Sequence, residues 1–268
     1  MLLDLFPIPR RYARVPGALA VALVVALVTV YLNERTPLAA GLLVAGVVVL
    51  ILVYVIRARQ KKEWIAFFQE ENRRLLEIKG ADGPGAYIPG QRARADKLRH
   101  PELKLTAQLN LCTALLANWD NGEALALLRR LPPPEKMPNP TLRLVYWTQL
   151  LRAHLQLGDR EGADGAYAMT LRTLPEVSDL MKIGCLPYEI HYRILSGEYE
   201  LALKQLGELP RKDLDEAGRD LLTAYRSMAL RGLGASDKAA KLVQKVEGHD
   251  LLPATRKLLL SGAGPEQN

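Results

Sequence analysis

Hydropathy divides the chain near residue 56. Before it lie two apolar runs, 17–32 and 38–56; the first holds only Thr29 and Tyr31 as polar-tipped residues, and the second carries no charge. A helix needs roughly 20 apolar residues to cross a bilayer. The first run, extended through Val15 and Pro16, reaches the short end of that length, and the second meets it. Asn33, Glu34, Arg35, Thr36 and Pro37 leave room only for a tight polar turn, so the two segments are predicted to pair as an antiparallel hairpin with spans at about 15–32 and 38–56. Residues 1–56 thus form an N-terminal tail and transmembrane hairpin. Neither run has a polar face, which argues against ordinary core helices. A secretory signal peptide would share the basic start, yet the second span follows so closely that no mature domain fits between.

After residue 56 the pattern becomes amphipathic. Trp64, Ile65, Phe68, Asn72, Leu75 and Leu76 follow one stripe at three- and four-residue spacing, which predicts a juxtamembrane helix over 57–80 ending at Gly80. Arg57, Arg59, Lys61 and Lys62 would meet anionic headgroups while Trp64, Phe67 and Phe68 dip into the boundary. Packing of this helix on the following domain, or on its own copy, is the competing expectation. Residues 81–91 then hold Gly83, Pro84, Gly85, Pro89 and Gly90, a composition that predicts an irregular linker over 81–100.

Beyond the linker, four alanines, Ala124, Ala163, Ala202 and Ala239, recur at nearly constant spacing, and Gly158, Gly197 and Gly234 precede the last three by five residues. That periodicity predicts stacked helical pairs over 101–262. Trp119 stands where the first pair should have its glycine, so a different turn is expected there. Pro132, Pro175 and Pro210 follow three of the second helices. Pro187 falls inside the first helix of the third pair, which is therefore expected to be short or to start late. A final helix is predicted over 249–260, capped near Asp250 with Pro253 in its first turn, followed by a disordered tail over 263–268.

The segment 144–175 carries Trp147, Leu150, Gly158, Ala163, Tyr167 and Pro175 at the spacing W-x2-L-G-x2-Y, A-x3-F, P, and so resembles the tetratricopeptide (TPR) repeat family. The first pair is similar through Gln108, Leu111 and Cys112, the third departs at Leu186, Pro187 and Glu189, and the fourth keeps only the small Ser227 beside Thr223 and Arg226. The resemblance covers roughly 101–248. It implies an α-solenoid of about four TPR-like pairs, so that with the hairpin read from hydropathy and the C-terminal capping helix the expected fold is all-α: a two-helix transmembrane hairpin followed by that solenoid. It also implies a concave groove lined by Asn110, Thr113, Gln149, Arg152, Tyr188, His191, Tyr225 and Met228, open to a peptide or helix of a protein partner.

Charge sharpens where this protein sits. The chain has a formal net charge of +7, yet residues 1–80 hold 11 Lys/Arg against 6 Asp/Glu while residues 101–268 hold 21 of each. The excess flanks the apolar runs, which argues for a lipid bilayer and against nucleic acid. Arg10, Arg11 and Arg14 ahead of the first span, and Arg57, Arg59, Lys61 and Lys62 behind the second, outnumber Arg35 in the turn, placing both termini in the cytoplasm of what is expected to be a bacterial cell membrane. Small residues at Ala18, Ala22 and Ala26, and at Gly41 and Ala45, make the hairpin a candidate for self-association, as is the juxtamembrane helix.

Candidate chemistry is sparse. Cys112 and Cys185 form no CxxC pair and are expected to be buried reduced thiols. His100, His154, His191 and His249 are scattered, with His154 at a packing position of the repeat, and Glu189 and His191 would face different sides of a helix. No nucleotide, serine-hydrolase or zinc-protease motif occurs. No catalytic residue, cofactor, metal or small-molecule substrate is expected. The expected function is a membrane-anchored, non-enzymatic adaptor or scaffold working through protein-protein interaction. The alternative is a subunit or assembly factor of an integral membrane complex, in which the hairpin makes the specific contact.

Overall fold

The computed structural model describes residues 25–26, 28–29, 31–33, 37–76, 78–137, 139–209 and 214–261. Among them all regular structure is helical. The chain divides into two units, Met1–Asn72 and Arg73–Asn268. The boundary expected within 81–100 is therefore displaced to residue 72.

In the first unit the described residues of 25–33 are helical, and Thr29 turns its hydroxyl back to donate to the Val25 carbonyl at 2.7 Å. Helix α1 runs Pro37–Leu76 without interruption, so the stretch predicted as a separate juxtamembrane helix continues the apolar one. Among the described residues no helix is long and apolar enough to cross a membrane. The uncharged run 38–56 lies in α1, but its side chains are described only in part; those of Val44, Val48, Ile51, Leu52, Tyr54 and Val55 are exposed. Arg10, Arg11, Arg14, residues 15–24 of the first span, residues 34–36 of its turn, Pro210 and the tail 263–268 lie outside the described residues.

The second unit is built from helix-turn-helix pairs: α3 (Pro101–Ala117) with α4 (Asn121–Arg130), α5 (Pro140–Leu157) with α6 (Arg160–Thr173), α7 (Asp179–Leu195) with α8 (Tyr199–Glu208), and α9 (Glu216–Gly232) with α10 (Ser236–Val246). Two further helices flank them, α2 (Gly83–Lys97) before and α11 (Pro253–Leu260) after.

The four pairs turn in the same way. The amides of Asp120, Asp159, Glu198 and Ala235 donate back to the carbonyls of Leu115, His154, Arg193 and Leu230 at 2.8–3.0 Å. The residue before each, Trp119, Gly158, Gly197 or Gly234, has φ between 68° and 79°. This is the left-handed Schellman stop. The carbonyl after the stop then accepts from the alanine amide of the next helix, Ala124, Ala163, Ala202 or Ala239, so one residue both ends and begins a helix. All four alanines are at most 1 % exposed, because a larger side chain would force the paired helices apart. The first turn thus does not differ: Trp119 adopts the left-handed backbone itself and packs its ring on the cluster containing Ile190, Leu222 and Leu251. Gly158 has open space around a built Cβ, so Gly158→Ala isolates the backbone term. It is expected to lower stability by about 1 kcal/mol in denaturant titration, the penalty of a left-handed alanine.

Three further expectations are corrected. The linker is the helix α2, which begins with Pro84 in its first turn and buries Pro84, Ile88, Gln91 and Ala95 as one stripe; Gln91 donates to the Ala107 carbonyl of α3 at 3.1 Å. Pro89 sits on the exposed side, and Gly85, whose carbonyl loses its helical donor there, is exposed to water. Pro187 likewise lies inside a full helix, since Ile183, the residue whose carbonyl it leaves undonated, is 52 % exposed. The last helix starts at Pro253, not at 249: Asp250 accepts from the Ala81 amide at 2.9 Å and does not cap α11.

Helix α3 lies at the centre, contacting α2, α4, α5 and α11. First helices stack in the order α3, α5, α7, α9, and α11 then packs on both α9 and α3, so the array closes on its own beginning. Arg231 ties down α11 through the carbonyls of Ser261 and Leu259 at 2.6 and 2.7 Å.

Candidate functional site

The groove positions fall two to a helix on α3, α5, α7 and α9, three residues apart, so the two on each helix share one side of it. The structure brings two pairs of them into contact. Gln149 Nε2 donates to Thr113 Oγ1 at 2.6 Å, and the rings of His191 and Tyr225 lie 4.9 Å apart. The charge of Arg152 acts on Cys112, His191 and Tyr225, and the phenol of Tyr188 acts on Tyr225.

The face is less open than a groove. Asn110, Gln149, His191, Tyr225 and Met228 are all buried, at 2–9 % exposure, and Thr113, Arg152 and Tyr188 are half-buried. For Tyr225 and Met228 the cover includes Leu258 and Leu259 of α11, which share their core cluster. Burial holds His191 neutral, pushing its imidazole down to about 3, with the neighbouring Arg152 cation adding to the shift. The Tyr225 hydroxyl is pushed up, chiefly by burial. Burial also pushes the Cys112 thiol up to about 12, so it is an inert packed thiol, while Cys185 is half-buried 3.7 Å from Thr148 Oγ1.

Two valences on this face are open among the described residues. Arg152 has no hydrogen bond and no ion pair, and Gln149 Oε1, one helical turn away, is buried without a donor. An acidic group with an adjacent N–H would satisfy both.

Glu189 and His191 do part company: Glu189 accepts from Arg193 at 2.9 Å and from Gln205 at 2.9 Å, while His191 stays with Tyr225. His154 packs across Gly162, where a Cβ would stand 2.2 Å from its Nδ1, and this nitrogen lies 2.7 Å from Asp159 Oδ2.

Of the positions expected at the membrane surface, Arg59 pairs with Glu63 at 3.4 Å with both side chains exposed, and Lys62 is exposed. Trp64 and Phe68 are half-buried with rings 5.9 Å apart, and Phe67 is buried edge-on to Phe68 at 5.5 Å. The side chains of Arg57 and Lys61 are not among those described.

One grouping escapes sequence reading. Glu216, Asp220 and His249 each place a potential ligand atom within 4.8 Å of the others. The carboxylates stand one turn apart on α9, a spacing visible in sequence, but the imidazole arrives from the loop before α11.

Comparison with known proteins adds no relative: no family model, no curated protein and no solved structure matches this chain.

Proposed function

We infer that this chain is a membrane-anchored helical-repeat adaptor of TPR-like build that holds a protein partner at the cytoplasmic face. The observation that carries the reading is the inner face of the second unit, where the half-buried Arg152 and the buried Gln149 Oε1 await an acidic partner group. A half-buried guanidinium without a counter-ion is costly to retain unless something pairs with it. The anchor rests on the uncharged 38–56 run and its exposed Val48, Ile51, Leu52 and Val55, a surface that water solvates poorly and lipid tails cover. The flanking Arg and Lys bias places the repeats in the cytoplasm.

The test is crosslinked capture from native membranes with Arg152→Glu. Reversing the charge is expected to reduce capture of the specific partner at least about tenfold, the equivalent of one lost charge-assisted contact, while helical content by circular dichroism is unchanged. Unchanged capture would remove the inner face from the reading. Tyr225 is unsuitable for this test because its burial makes truncation a stability change.

A second reading is favoured by the filling of the inner face with the array's own side chains, which leaves a small area for a partner. In it the chain is a subunit or assembly factor of a membrane complex recognised through its apolar spans. Exchange of residues 1–56 for an unrelated anchor separates the two: retained partner capture supports the adaptor, and its loss supports the complex subunit.

A further inference from the structure

At the closing seam of the second unit lies a cavity of about 190 Å³ lined by Lys79, Asp215, Glu216, Asp220, Asp250 and Thr255, among others. Four carboxylates face one lysine there. Two of the four are already engaged by backbone amides: Asp215 Oδ1 accepts from Gly218 N, and Asp250 Oδ1 accepts from Ala81 N, each at 2.9 Å. Glu216 and Asp220 have no such donor. His249 Nδ1 lies 2.9 Å from Asp220 Oδ1 and 3.7 Å from Glu216 Oε1.

Asp220 is the independent observation. It is only 4 % exposed, it lines the cavity, and among the described residues His249 and nothing else donates to it. A carboxylate offers about four lone-pair directions, so with His249 at one oxygen Asp220 keeps acceptor capacity on the cavity it lines. Burying that charge without more partners is expensive. A cation at this point would use that remaining capacity together with Glu216 and the His249 imidazole.

We propose that Glu216, Asp220 and His249 form a divalent transition-metal site of the zinc class. The donor set, one imidazole nitrogen and two carboxylate oxygens with the fourth position left to water, is one that zinc accepts, whereas calcium and magnesium prefer all-oxygen shells. Ligand atoms around one tetrahedral zinc ion stand roughly 3.3 Å apart for bonds near 2.0 Å. The 2.9 and 3.7 Å separations bracket that value, so side-chain adjustment suffices. The two carboxylates occupy the first turns of α9, where the helix dipole opposes a cation with roughly half a charge. Two full negative charges outweigh it. Binding uses the Nδ1 lone pair of the neutral imidazole with its proton on Nε2, and an imidazolium would first release its Nδ1 proton to solvent.

The ion would fasten the start of α9 to the loop before α11, next to the Asp250 that holds Ala81. It would act as a clasp on the closure of the array, separate from the Arg152 face.

The experiment uses the full chain in detergent micelles, stripped with a chelator and titrated with zinc ions by calorimetry. Saturable 1:1 binding and a rise in Tm are expected. Cobalt loading is expected to give visible ligand-field absorption. His249→Gln and Asp220→Asn are each expected to weaken zinc binding by tenfold or more, roughly the range seen for disturbed metal sites, and to abolish the cobalt spectrum. Asp220 is buried, so the exposed Glu216→Gln provides a variant whose fold is retained, with weakened binding expected there too. His100→Gln and His154→Gln should bind as the parent does. Absence of saturable binding, or equal binding in His249→Gln and Glu216→Gln, overturns the proposal.

Discussion

Leu206→Ala is expected to destabilise the second unit by about 2–5 kcal/mol, the range for removing a buried leucine from a site that collapses incompletely. Leu206 is 0 % exposed and sits on α8 in a cluster with Ile190 and Ile194 of α7, Leu222 and Tyr225 of α9, Val246 of α10, and Leu258 and Leu259 of α11, against which the ring of Trp119 from the first pair packs. No single neighbour can move to fill the gap without leaving another. The same helix contains its own control. Leu201 is 40 % exposed, and Leu201→Ala is expected to change stability by no more than about 0.5 kcal/mol. Urea titration of both variants, followed by circular dichroism, measures the contrast. If the two variants lost equal stability, the cluster would not be the seam that holds the ends of the array together.

The second large effect is a loss of stability in mild acid. The His191 imidazole is held at about 3 in the folded chain, while an unfolded histidine takes up its proton near 6.5. Between those values the unfolded state binds the proton and the folded state refuses it, so stability falls as pH falls. The loss begins near pH 6.5 and continues toward pH 3. At pH 5 this one group is expected to remove about 2 kcal/mol relative to neutral pH. The cause is positional: His191 is buried with its ring tilted against Tyr225, and the Arg152 cation nearby disfavours a second positive charge. His191→Phe keeps a ring beside Tyr225 and is expected to flatten the acid limb in denaturant titrations at pH 7.5 and 5. An unchanged limb would assign the acid sensitivity to other groups.

How far the inner face was legible follows from the same residues. The repeat register placed Asn110, Thr113, Gln149, Arg152, Tyr188, His191, Tyr225 and Met228 on one side of the first helices; in the structure Gln149 bonds Thr113 and the rings of His191 and Tyr225 meet. Helical phase is local, so three-residue spacing suffices to set it. Their burial was not legible. For Tyr225 and Met228 it depends on Leu258 and Leu259 of α11, which reach them only in the folded array.

What the sequence by itself determined is whatever a few neighbouring residues decide. The four alanines and three glycines announce the helix pairs because a Schellman stop spans only six residues and demands a left-handed backbone at one of them. The long apolar runs announce themselves by composition alone. Tertiary structure decided the rest. Packing on α3 makes 83–97 a helix against its Gly and Pro content, since a buried stripe of Pro84, Ile88, Gln91 and Ala95 outweighs weak local propensity. Trp119 holds a glycine's conformation while its half-buried ring packs against a cluster assembled from the far end of the array. Glu216, Asp220 and His249, and Ala81 with Asp250, meet only once the array has closed. Such meetings depend on the summed rotation of four stacked pairs, a quantity no short stretch of sequence contains.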